Sequence, residues 1–139
     1  MNIILEGTDG VGKTATINEL KKYNVICKDR CKEVISKYMN FDISVEFRAN
    51  IYYKYLINND NMVIFMINND KNELMKRICS RECVDEYDLN AYEYNLLYLE
   101  TYNYMKNNNM LANKLFLADV TDLDLNSQVE KVKKIIDRR

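Results

Sequence analysis

The chain has 139 residues and only 3 glycines, and all of them, Gly7, Gly10 and Gly12, stand within the eight residues Gly7-Thr8-Asp9-Gly10-Val11-Gly12-Lys13-Thr14. Glycine lets a backbone turn through left-handed conformations and approach another group closely, so this concentration marks one place where the chain must turn tightly. An apolar run, Asn2 to Glu6, leads into the segment, and a stretch with helical character, Lys13 to Tyr23, leaves it. A strand, a glycine turn and a helix start in that order aim successive backbone N–H groups, and the positive end of the helix dipole, into one small concavity. That is an anion site. The spacing G-x-x-x-x-G-K-[ST] adds a lysine and a hydroxyl where a polyphosphate needs them. At ordinary glycine frequencies the pattern arises by chance in roughly one chain of this length in a few hundred. The expected ligand is ATP, cradled by Gly7, Thr8, Asp9, Gly10, Val11, Gly12, Lys13 and Thr14. Lys13 would bring a mobile charge to the β- and γ-phosphates, and the Thr14 hydroxyl would be a ligand of Mg²⁺.

The rest of the composition narrows the field. One domain spanning residues 1–139 is expected, because the length suffices for one core and falls short of two full-sized units. Hydrophobic residues at 47%, charged residues at 29% and a net charge of -1 describe a globular chain with no basic coat for a nucleic-acid polymer. The longest apolar runs, such as Met62 to Ile67, fall far below the roughly 20 residues that span a bilayer. The start carries no basic, apolar and small-residue sequence of a secretory signal, so a cytoplasmic location is expected, with no membrane partner. With no histidine, His-based triads and His-ligated metals are excluded. Cys27, Cys31, Cys79 and Cys83 form two C-x3-C pairs. They read as reduced thiols, the alternative being a four-thiolate zinc site.

Short apolar runs alternate with helical stretches along the chain. Strands are expected at Asn2 to Glu6, Asn24 to Lys28, Met62 to Ile67 and Lys114 to Val120. Helices are expected at Lys13 to Tyr23, from Cys31 to about Asn58 as one or two pieces, and at Lys71 to Arg81, Leu89 to Asn107 and Ser127 to Arg138. Asp124, or Asn126 with Ser127, would cap the last of these. Such alternation implies the α/β class, with a parallel sheet of about four to five strands between two layers of helices.

A P-loop alone does not separate a kinase from other nucleotide-binding proteins. The segment Leu5-Glu6-Gly7-Thr8-Asp9-Gly10-Val11-Gly12-Lys13-Thr14 resembles the loop of thymidylate kinases and, more loosely, of deoxynucleoside kinases. The resemblance continues through Val63 to Ile67, then Glu73-Leu74-Met75-Lys76-Arg77-Ile78 and Ser80-Arg81, which are similar to the strand, helix and arginine-bearing lid of that family, and through Glu86 to Tyr102 and Leu115 to Val120. It implies a P-loop NTPase fold of the nucleoside monophosphate kinase type, binding ATP and Mg²⁺. It also implies that Asp9 faces the acceptor's sugar and the metal, and that Arg77 and Arg81 close over the phosphates. Asp29 would reach Mg²⁺ or the acceptor, while Arg30 and Arg48 would hold the acceptor phosphate. Phe47 or Tyr52 could stack on a base, a plain core role being the favoured alternative for either.

The chain departs from the family in length, with one strand and its helix missing from the middle. Either Asn24 to Arg30 corresponds to the family's second strand and the Asp-Arg strand is lost, or it is the Asp-Arg strand and the earlier one is gone. Ser44 stands where the family has an aromatic, and no Arg-Glu-Pro-like segment occurs. The implied activity is transfer of the γ-phosphoryl of ATP to a deoxynucleoside monophosphate, a small-molecule substrate. A deoxynucleoside kinase, with Glu6, Asp9 or Asp29 as base, and a P-loop module that binds nucleotide without turnover are the alternatives. No Asn-Lys-x-Asp guanine motif is present. The sequence leaves monomer and homodimer open.

Overall fold

The computed structural model describes residues 2–8, 10–29, 39–57, 60–80, 84–111 and 113–138, the side chains of residues 29 and 87 excepted. Four parallel strands, β1 (Ile3–Glu6), β2 (Cys27–Asp29), β3 (Met62–Ile67) and β4 (Leu115–Asp119), form one sheet in the order β2-β1-β3-β4. The helices are α1 (Lys13–Lys21), α2 (Val45–Leu56), α3 (Lys71–Cys79), α4 (Glu86–Leu89), α5 (Ala91–Asn107) and α6 (Leu125–Asp137).

Interior parallel strands are covered on both faces, so they can be apolar at every position. β3 is such a strand, Met-Val-Ile-Phe-Met-Ile, with all six side chains buried. Alternation along the strands sorts the core into two layers. Ile3, Leu5, Ile64, Met66 and Ala118 pack with Ile17 and Leu20 of α1 and with Val129, Val132 and Ile136 of α6. Ile4, Val63, Phe65, Ile67 and Leu115 meet Ala49, Tyr52 and Leu56 of α2 and Tyr98 and Met105 of α5. Each fully buried aliphatic or aromatic side chain contributes roughly 1.5–3 kcal/mol. These three layers are the expected architecture.

Local chemistry sets the ends. Ser44 Oγ accepts from Phe47 N (3.2 Å), Asp70 Oδ1 from Glu73 N (3.1 Å) and Asp124 Oδ1 from Ser127 N (2.8 Å), capping α2, α3 and α6. Several boundaries differ from the sequence expectation, α2 beginning at Val45 and residues 31–38 of the helix expected from Cys31 lying outside the described residues; two of the differences have a clear local cause. β2 begins at Cys27 rather than Asn24, because Asn24 turns left-handed (φ 61°) and the Val25 N–H closes α1 onto Leu20 O (3.1 Å). The helix expected over Leu89 to Asn107 is α5, which begins at Ala91 after the short α4, since Asn90 (φ -105°, ψ 19°) leaves the helical conformation and its Nδ2 donates to Glu86 O (3.0 Å), ending α4.

From β1 the chain crosses to β2 on one side, then returns to β3 on the other. The connections therefore diverge at the carboxyl ends of β1 and β3, leaving the crevice in which open parallel sheets hold ligands. On the far edge, Lys131 Nζ of α6 donates to Asp119 O of β4 (2.6 Å).

Candidate nucleotide-binding site

The glycine loop follows β1 at that edge of the sheet. A Cβ on Gly7 would lie 2.6 Å from Met66 O, a backbone atom of β3 that has nowhere to go, so only glycine lets the loop rest on the neighbouring strand. Gly12, at φ 99°, makes the left-handed turn that starts α1, and its carbonyl accepts from Thr16 N (3.0 Å). Between them Val11 is fully buried in the core layer under α1 and α6, which pins the loop's underside.

Lys13 follows at the first helical position and is buried. Its ammonium donates to Gly7 O (2.6 Å) and Thr8 O (3.1 Å), and so lies inside the turn. An ammonium is a point charge on a flexible stem, and phosphate oxygens can replace those carbonyls as its partners. Thr14 is exposed in the first turn of α1, where the amide N–H groups lack intrahelical acceptors.

Several buried side-chain atoms here have no hydrogen-bond partner among the described residues, including Thr8 Oγ1, Thr16 Oγ1, Asn68 Nδ2 and Asn95 Nδ2. Thr8 lies in the loop, Thr16 one turn into α1, and Asn68 directly after β3. Asn95, on α5, is tied to Asn68 by its Oδ1, which accepts from Asn68 N (3.0 Å). A buried polar group left unpaired costs about 1–3 kcal/mol. Thr8 and Asn68, just beyond the carboxyl ends of the adjacent strands β1 and β3, fit a place built around a polar ligand. The glycine cradle, the buried ammonium and the orphaned hydroxyl all suit a polyphosphate, with Thr14 available to its Mg²⁺.

The other residues read from the sequence fall into three groups. Asp29 ends β2, paired in register with Leu5 of β1, so its backbone stands beside the loop's own strand. Arg77 is on α3, whose Leu74 and Ile78 pack beneath Gly10, and its Nε donates to Glu73 Oε1 (3.2 Å). Asp9, Arg30 and Arg81 lie outside the described residues, as do Cys31 and Cys83.

Arg48 is buried and fully engaged. Its Nε donates to Thr101 Oγ1 (3.1 Å), its Nη1 to Asn40 O (3.4 Å) and Ile43 O (2.9 Å), and its Nη2 to Glu100 Oε1. In this arrangement it ties α2 to α5 and to the 40–43 turn. Of the two stacking candidates, Tyr52 is buried edge-on against Phe65 (5.3 Å between ring centroids) and donates its hydroxyl to Glu6 Oε2 (2.9 Å). Phe47 is about half exposed, at 49%.

Glu6, last residue of β1, is itself fully buried. Cys27 is buried in β2, and burial pushes its thiol up to about 11. Cys79 is exposed at the end of α3. Among the described residues no three Cys, Asp or Glu side chains gather to hold a metal ion.

Asn68 and Asn95 were not legible as site residues from the sequence. The available signal was a polar residue directly at the carboxyl end of a wholly apolar interior strand.

The sheet order, the two helical layers and the glycine loop at the switch point define a P-loop kinase-like α/β fold. Among solved structures, a deoxyadenosine kinase from M. mycoides with bound dATP has this fold, at a TM-score of 0.57 and 18% sequence identity, the match covering 99% of this chain and 100% of that one. The sequence matches no known protein-family pattern and no curated protein. No described helix is long and apolar enough to cross a membrane.

Proposed function

We propose that the chain is a nucleoside kinase, transferring the γ-phosphoryl group of ATP to the hydroxyl of a deoxynucleoside held at the carboxyl edge of the sheet. The observation that carries this reading is the loop itself: a turn pinned by Gly7 on β3 and by Val11 in the core, with the Lys13 ammonium inside it. Phosphoryl transfer asks a protein mainly to position the reactants and to surround the moving group with donors and positive charge. The amides of residues 7–14 would bind the donor's phosphates, and Lys13 would turn from the loop carbonyls to the β- and γ-phosphates. Bound Mg²⁺ would neutralise charge on those phosphates, with the Thr14 hydroxyl and Asp29 as its protein ligands. Arg77, with Arg81, would face the transferring group from the lid side.

A neutral acceptor is favoured because Arg48, the arginine implied for an acceptor phosphate, is occupied by protein partners. The likeness to a deoxyadenosine kinase supports the same choice. Glu6 is shielded and holds Tyr52, which leaves Asp9 and Asp29 as carboxylate bases for the hydroxyl proton. One observation favours a second reading, a thymidylate-type monophosphate kinase: the loop sequence from Leu5 to Thr14, with Asp9 between its glycines.

The test is ADP release with ATP, Mg²⁺ and a panel of deoxynucleosides and their monophosphates. The proposal expects turnover dependent on a nucleoside, lowered at least about a hundredfold by Lys13→Ala without loss of fold. Turnover only with monophosphates selects the second reading. ATP binding with no acceptor-dependent release rejects both in favour of a binding module.

A further inference from the structure

We propose that Asn68, held in place by Asn95, donates its carboxamide hydrogens to the terminal phosphoryl group of the nucleotide in the glycine loop. This rests on the reading of the loop as a triphosphate site and adds to it a donor from outside the loop.

The orientation of both carboxamides is set by what their oxygens accept. Asn95 Oδ1 takes the Asn68 backbone N–H (3.0 Å), and Asn68 Oδ1 takes the Asp70 N–H (2.9 Å). Each oxygen must face a donor, so in each side chain the nitrogen must face the other way. Both nitrogens are buried and have no acceptor among the described residues. Two adjacent carboxamides with idle N–H groups are costly in a protein interior, and a ligand oxygen would offset that cost.

Position says which oxygen. β3 is the strand beside β1, and Gly7 rests on Met66 O, two residues before Asn68. Asn68 therefore continues β3 past the point where the loop crosses it, at the carboxyl edge of the sheet and fully buried. A group there lies beyond the loop's own amides, toward the far end of a polyphosphate that they hold. Asn68 also links the parts that must move together. Its Oδ1 fixes the start of α3, and α3 carries Arg77 and packs Leu74 and Ile78 under Gly10. The nitrogens have no solvent contact, so a bound nucleotide must displace the groups that cover them. Donors shielded from water and fixed before the reaction act more strongly on developing charge than donors in solvent.

Binding, rather than turnover, tests this. Dissociation constants for ADP and for the β,γ-imido analogue of ATP are measured with Mg²⁺ for the unaltered chain, Asn68→Asp and Asn95→Leu, with melting temperatures alongside. Asn68→Asp keeps the oxygen that accepts from Asp70 N and removes the donor; Asn95→Leu removes the anchor of Asn68. The unaltered chain is expected to bind the triphosphate analogue more tightly than ADP. Asn68→Asp should lower that preference at least tenfold with ADP affinity changed less than threefold, and Asn95→Leu should lower it in the same direction.

A preference retained within twofold in Asn68→Asp overturns the proposal, as does an equal loss for both nucleotides, which is the signature of a structural role. An unaltered chain that binds both nucleotides equally also overturns it. An unaltered chain that binds neither overturns the triphosphate reading itself.

Discussion

Arg48 shows how one residue's burial can outweigh its sequence context. On the expected helix, beside aromatics, it reads as a cation waiting for a phosphate. In the fold its guanidinium spans Thr101, Glu100 and the carbonyls of Asn40 and Ile43. Because Glu100 is largely exposed, at 58%, its charge is not stranded by removal of Arg48; what is lost is the set of hydrogen bonds to Thr101 Oγ1 and to the part-buried carbonyls of Asn40 and Ile43, which tie α2 to α5. Arg48→Ala should therefore cost at least about 2 kcal/mol of stability, seen as a lower denaturant midpoint at unchanged slope. An acceptor-phosphate role would show the reverse pattern, intact stability with weakened acceptor binding. At this scale the site was half legible. The loop residues announce themselves because backbone geometry demands particular residue types, whereas Asn68 and Asn95 are ordinary polar residues until β3 and α5 are brought together.

At the scale of elements, the caps and strands carried most of the readable information. β3 was expected at Met62 to Ile67 and stands there, since six apolar residues between polar flanks fit a covered strand and are too few for a helix. β2 was misplaced by three residues because a left-handed asparagine is a matter of φ, not of hydropathy. The last helix offers a pH test. Its cap, Asp124, has its pKa lowered, first by the hydrogen bond from the Ser127 backbone. A carboxyl depressed in the folded state adds stability that is present above its unfolded pKa, near 4, and is lost as pH falls through the lower folded value. The melting temperature of Asp124→Asn should thus be less sensitive than that of the unaltered chain as pH falls from about 5 to 2. An identical acid profile for the two chains would show that the cap contributes nothing.

Across the whole molecule, alternation of strand and helix was enough to anticipate a parallel sheet between two helical layers. It could not supply strand order, because order depends on which helix covers which face. That order places β1 centrally and its loop at the switch point. It also leaves β4 with a single neighbour among the described strands.

The ammonium of Lys131 lies on Asp119 O, at the end of that outer strand. A carbonyl so occupied is unavailable to an N–H arriving from another chain, and the charge repels an identical approaching edge. Lys131→Met should keep the fold yet scatter light on mild heating or at high concentration, where the unaltered chain stays clear. If the variant stays equally clear, the lysine has no such guarding part. A contact that adds little to the folding of one molecule would then govern how many of them can share a solution.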